Sequence, residues 1–189
     1  MEFLNRLFRG GGRQSAVSCR GWVEQIEPHK VPGVLPVELT VEPLPEGIRI
    51  SLGNAYSGPI NPRDMFGGAL QIGAFHNLSG RGSNEPFLLP YSDIRALAGR
   101  VMSVEKKGNV TRLETIETIG TCRTEPLPKG RTFRFDITYR PPARDESMVT
   151  LTLVADQAQS TEDPKLTLAL FNGIANAIAE HGSTSPSEA

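Results

Sequence analysis

Two segments late in the chain alternate apolar and polar side chains with a period of two. Phe133, Phe135, Ile137 and Tyr139 are separated by Arg134, Asp136 and Thr138, and Val149, Leu151 and Leu153 by Thr150 and Thr152. That period is the pleat of a β-strand with one buried and one wet face, and an α-helix cannot satisfy it. The link 141–147, Pro-Pro-Ala-Arg-Asp-Glu-Ser, is polar and rich in turn formers, so the two segments predict a hairpin. The pattern recurs earlier. Val37, Leu39 and Val41 alternate with Glu38, Thr40 and Glu42, the turn Pro43 to Gly47 follows, and Ile48, Ile50 and Leu52 then flank Arg49 and Ser51. Arg49 is expected across from the glutamates, a pairing that helps register more than stability. Residues 94–105 read as extended chain. In 110–119 the apolar residues Val110, Leu113, Ile116 and Ile119 step by three, yet the Thr- and Ile-rich composition favours a strand, so the segment predicts a strand with a bulge.

Short strands joined by turns imply an antiparallel sheet of about six to seven strands. The best helix lies at the C-terminal end: Asp163 can cap it, Pro164 suits its first turn and Gly182 its exit. On a helical wheel Lys165, Asn172, Asn176 and Glu180 form one narrow polar stripe. Leu166, Leu168, Leu170, Phe171, Ile174 and Ile178 cover most of the remainder, so this helix must fill the open face of the sheet or a subunit interface. The expected fold class is therefore α+β. Residues 15–182 form its single domain, preceded by an N-terminal peptide and tether (1–14) and followed by a small polar tail, 183–189, expected to be disordered.

The chain has 189 residues, enough for one substantial core. Its 20 Lys plus Arg against 21 Asp plus Glu produce no global field toward nucleic acid or acidic lipid, and nucleic acid is not an expected partner. Two cysteines, Cys19 and Cys122, are too few for a disulfide scaffold or a four-ligand zinc site. His29, His76 and His181 show no metal-ligand spacing, and no cofactor motif is present, so no metal and no cofactor are expected. With no apolar run long enough for a membrane span and no signal-peptide core, a cytoplasmic location is expected.

Residues 2–9 place Phe3, Leu4, Leu7 and Phe8 at helical spacing with Arg6 and Arg9 between them, and Gly10-Gly11-Gly12 then breaks the pattern. A peptide this short does not hold a helix alone in water, so its apolar face calls for a groove. Another protein or a second copy is the expected seat, with weak contact to a membrane surface as the lesser one. A terminus folded back on its own core is the plainer alternative.

The segment 61–70, Asn-Pro-Arg-Asp-Met-Phe-Gly-Gly-Ala-Leu, precedes a stretch to Leu78 that is apolar enough to be a helix against the sheet. It resembles the start of the central helix in hot-dog-fold acyl-CoA thioesterases, through Asn61 and the pair Gly67-Gly68. The resemblance implies a helix cradled by the sheet, with backbone amides at its start polarising a thioester carbonyl. Residues 69–82 contain no Asp or Glu to serve as base, which leaves His76 as the titratable candidate. Gly73 and Gly80 would weaken such a helix. The alternative gives Gly67 and Gly68 a packing or turn role with Asn61 or Asp64 as cap. A second segment, 32–38 (Pro-Gly-Val-Leu-Pro-Val-Glu), resembles the helix start of hot-dog dehydratases, but Pro36 and Pro43 bracket an alternating run and place Glu38 on a strand.

Three function classes follow. A non-catalytic binding or assembly module accounts for the tethered peptide, the strongly apolar last helix and the missing catalytic constellation, and it is the expected class. A thioester hydrolase and a β-barrel cup for an apolar small molecule are the alternatives.

Overall fold

The alternating segments are realised as strands in a computed structural model that describes residues 16–27, 36–53, 65–108, 110–143, 147–157 and 161–181. In chain order the elements are β1 (Val17–Glu27), β2 (Val37–Leu44), β3 (Gly47–Leu52), α1 (Met65–Ser79), β4 (Phe87–Pro90) and a 3₁₀ turn (Tyr91–Asp93). They continue with β5 (Ile94–Lys107), β6 (Val110–Ile119), β7 (Arg131–Tyr139), β8 (Met148–Gln157), β9 (Thr161–Glu162) and α2 (Pro164–His181). Among the described residues eight strands form one antiparallel sheet in the order β4-β3-β2-β1-β8-β7-β5-β6, and β9 pairs with the end of β8. The strand count exceeds the six to seven expected. β1 and β4 are the additions: β1 carries Gly21 and Gln25 at inward positions, which hides its alternation, and β4 is four residues long.

The order fixes the shape. β4 lies at one edge and β5 six inter-strand steps away, roughly 29 Å on a flat sheet. The chain joins Pro90 to Ile94 through the three residues 91–93, which span at most about 14 Å. The sheet therefore curls, bringing its two ends together. Tyr91 fastens the closure: its hydroxyl donates to the Leu44 carbonyl at 2.9 Å, and its ring stacks on His181 at 5.9 Å. The Arg140 amide donates to the Asp93 carbonyl at 3.2 Å.

Cross-strand register places Ile50, Val41, Leu39, Cys19, Leu153, Phe135 and Val101 on the same, concave face, and all are buried. The helices α1 and α2 fill that face. α1 brings Phe75 against Phe87 at 5.9 Å, and the Leu78 carbonyl accepts from the Tyr139 hydroxyl at 2.9 Å. α2 inserts Phe171 edge-on to Phe133 and Phe135 at 5.4 and 5.7 Å. The curl leaves no room for side chains at some centres: a Cβ on Gly99 would meet the Phe133 ring at 2.6 Å, and one on Gly21 would meet Leu151 at 2.9 Å.

The helix ends follow local chemistry. Asp163 Oδ1 accepts from the amides of Lys165 and Leu166 at 2.9 and 3.2 Å, as the sequence predicts for a cap. Thr167, fully buried, donates to the Asp163 carbonyl and accepts from the Ala155 amide, tying α2 to β8. Gly80 is not a weak interior point of α1. It stands at φ 69° just beyond the helix and donates its amide to the His76 carbonyl at 3.0 Å, a left-handed C-cap. Gly182 and the tail 183–189 lie outside the described residues.

Gly99→Ala is expected to lower stability by about 1–3 kcal/mol, because the added methyl drives the rings of Phe133 and Phe171 apart; the urea midpoint reads this. Burial, with the nearby Glu46 and Glu180 carboxylates, pushes Tyr91 up to about 12. The unfolded phenol ionises near 10 while the folded one stays protonated, so this stabilisation is present below pH 10 and lost as pH rises toward about 12. Alkaline unfolding of Tyr91→Phe is expected to show a shallower loss over that interval than the parent chain.

Candidate interaction surface

The sequence-derived site residues separate into three places. Phe3, Leu4, Arg6, Leu7, Phe8 and Arg9 lie outside the described residues, as does Asn61. Gly67 and Gly68 fall in the first turn of α1, whereas His76 is in its last. Eight residues of helix separate Gly68 from His76, about 12 Å of rise, so the imidazole is not beside the amides of the helix start. His76 Nε2 instead hydrogen-bonds Asn84 Oδ1 at 2.7 Å, which holds the exit of α1 to the loop before β4. Glu38 is on β2, as expected, and its carboxylate lies 3.7 Å from Arg20.

The convex face of the sheet carries a second polar group. Arg100 on β5 pairs with Asp136 on β7 at 2.7 Å, and Thr152 on β8 donates to the same carboxylate at 2.5 Å. Arg134 lies 4.7 Å over the Trp22 ring, and Thr138 bonds Thr150 at 2.9 Å. The Arg100–Asp136, Thr152–Asp136 and Thr138–Thr150 contacts join neighbouring strands, and the Arg134–Trp22 contact reaches from β7 across β8 to β1. They pin register across β1, β8, β7 and β5, each half-exposed pair contributing no more than about 1 kcal/mol.

A third group clasps α2. Asn172 accepts from the Arg123 amide at 3.0 Å and donates to the Arg123 carbonyl at 2.8 Å, while Cys122 Sγ donates to Asn176 Oδ1 at 2.8 Å. Half of the polar stripe predicted for this helix is thus a seat for the loop after β6. Burial pushes the Cys122 thiol up, away from the thiolate a nucleophile requires. Among the described residues no three His, Cys, Asp or Glu side chains are grouped to hold a metal ion.

What stands out from the body is the hairpin of β5 and β6. β7 pairs with β5 only up to Ser103, opposite Arg131, so Val104 to Lys107 have β6 as their strand partner. The turn uses Gly108 at φ 60°, a conformation that suits glycine. Beyond Ser103 the arm is open to solvent on both faces and exposes Val110 (67%) and Val104 (38%), and Ile116 (49%) is exposed on β6 at its base. The expected bulge is present: Val101 faces Glu117 and Met102 faces Thr115, leaving Ile116 as the extra residue. It transfers β6 from one face to the other. Leu113 therefore shares a face with Val104, while Ile119 sits opposite Gly99 on the core side, which explains the step of three.

Among the described residues β6 pairs with β5 and no other strand, so ten residues of sheet edge face outward. The opposite edge, β4, has four residues and ends in Pro90. Short length and proline blunt an edge, and β6 has neither; it carries the charged residues Arg112, Glu114 and Glu117 and the bulge instead. Among the described residues no helix is long and apolar enough to cross a membrane. In comparison with known proteins, no family model matches the chain, and no curated protein or solved structure matches it either.

Backbone amides of residues 110–117 are expected to exchange hydrogen on the order of 100-fold faster than those of β7 in dilute solution, because the arm opens without disturbing the core; exchange read by mass spectrometry checks this.

Proposed function

We propose that this protein is a non-catalytic binding or assembly module that engages a protein partner through the β5–β6 arm. The observation that carries the reading is the long β6 edge, blunted by neither short length nor proline, with exposed Val104, Val110 and Ile116 beside it. An extended edge recognises another chain by main-chain hydrogen bonds, and its alternate side chains give the pairing specificity. The N-terminal residues Phe3, Leu4, Leu7 and Phe8, with Arg6 and Arg9, supply a second, tethered contact in this reading. In this reading α2 contributes less than its apolar sequence suggests, because Leu170, Phe171 and Ile174 are buried against the module's own sheet.

The alternatives have less behind them. A thioester hydrolase would draw on the start of α1, from which His76 is a helix length away. A cup would draw on the concave face, which Phe75, Leu78, Phe171 and Ile174 fill.

A photo-crosslinking residue at Ile116 of the full chain, expressed in its own cells, is expected to give a discrete adduct with a protein, either another species or a second copy. The same residue at Leu88, exposed on the β4 edge, is the control. Deleting residues 1–12 should lower the yield without unfolding the domain. No adduct at Ile116 above the Leu88 level overturns the reading.

A further inference from the structure

We infer that the partner on the β6 edge is a second copy of this chain, paired antiparallel about a two-fold axis through Leu113. This rests on the reading of the arm as a docking surface and names its occupant.

A two-fold-symmetric antiparallel pair sets one residue against its own copy and every other residue i against a partner j that returns the contact. The charges of Val110 to Ile119 distinguish the possible centres. Centring on Arg112 sets two guanidinium groups face to face, and centring on Glu114 does the same with two carboxylates; both oppose pairing. Centring on Thr115 sets Glu114 against Ile116 and Leu113 against Glu117, charge against apolar side chain. Centring on Leu113 sets Arg112 against Glu114 twice, Thr111 against Thr115 twice, and Val110 against Ile116 twice. The two most exposed apolar residues of the strand then cover each other.

The rows continue into β5. Val104 is the register partner of Leu113, so the central row becomes Val104, Leu113, the second Leu113 and the second Val104, an apolar band across four strands. Glu105 is the register partner of Arg112, and Ser103 that of Glu114. The adjacent row therefore reads Glu105, Arg112, Glu114, Ser103, with the arginine between two carboxylates. Glu117 is already engaged by Arg123 at 2.6 Å, and the bulge at Ile116 marks where the ladder ends. The product is one continuous sheet through both molecules, joined at their arms.

Sedimentation of the full chain over a concentration series is expected to show the mass rising from 20.5 kDa toward twice that value. Arg112→Glu and Glu114→Arg, each alone, set like charges opposite each other at two places and should weaken the dimer about tenfold. The double variant R112E/E114R restores opposite charges and should recover association, although Glu105 still faces a carboxylate at 112 within its own arm, as in the single variant. In a Cys122→Ser background, Leu113→Cys should form a disulfide-linked dimer on mild oxidation and Thr111→Cys should not, because only residue 113 meets its own copy. A mass fixed at the monomer value across the series, or singles that weaken the dimer with no rescue in the double variant, overturns this pairing. Such a monomer that still gives an Ile116 adduct with a different protein retains the binding reading and rejects self-pairing; a monomer with no adduct rejects both.

Discussion

The fold depends on one short connection. Three residues carry the chain from β4, at one margin of the sheet, to β5, next to the other margin, and a flat sheet would place those strands about twice as far apart as the connection can reach. Curling is the solution, and its consequences spread through the molecule. A curled sheet has an inside too narrow for full-sized side chains on every strand, hence Gly21, Gly99 and Ala155 at inward positions. It also has an inside too deep for strand side chains alone to fill. Two helices enter it, and Phe75 and Phe171 complete what Phe87, Phe133 and Phe135 begin. Tyr91 then ties the connection itself to the sheet and to the helix inside it, donating to β2 and stacking on the last residue of α2. Burying two tyrosine hydroxyls is tolerable because each has a carbonyl acceptor, at Leu44 and Leu78.

Much of this was legible in the chain because burial on one face imposes a period that sequence displays directly. The strands at 37–42, 48–52, 133–139 and 149–153, the cap at Asp163 and the apolar α2 all follow from local rules. What was not legible is set by partners distant in sequence. β1 carries glycine at an inward position because Leu39 and Leu151 crowd it, and a strand with a hole in its pattern does not announce itself. Asn172 looks like a solvated helix position until the loop after β6 folds onto it. Gly80 reads as a defect within α1 until the helix is seen to end at Ser79, where a left-handed residue is what the last carbonyls require.

The candidate interaction surface illustrates the same division more sharply. As a sequence, 110–119 is one more strand with a bulge, and that reading is correct. Its exposure comes from topology. β7 follows β6 in the chain yet pairs with β5, passing over the nearer neighbour and leaving β6 outermost. No local pattern records that choice. Residues expected to matter for chemistry, by contrast, are kept apart by an ordinary helix length, with His76 hydrogen-bonded to Asn84 and Gly68 a dozen ångströms away at the other end of α1.

An open edge of ten residues is a hazard as well as an opportunity, since unpaired backbone groups accept any extended chain. The two edges of this sheet meet the hazard differently. β4 is short and terminates in proline, which limits how much of a partner strand it can pair. β6 keeps its full length and carries Arg112, Glu114 and Glu117 instead. Charges at this spacing do not forbid pairing; they grade it, opposing the symmetric registers centred on 112 and 114 and favouring the one centred on 113. The bulge at Ile116 then limits how far any partner strand can run. An edge that only needed protection would be better served by the β4 arrangement, so the retention of length together with a discriminating charge pattern is the physical ground for treating β6 as a surface meant to be met.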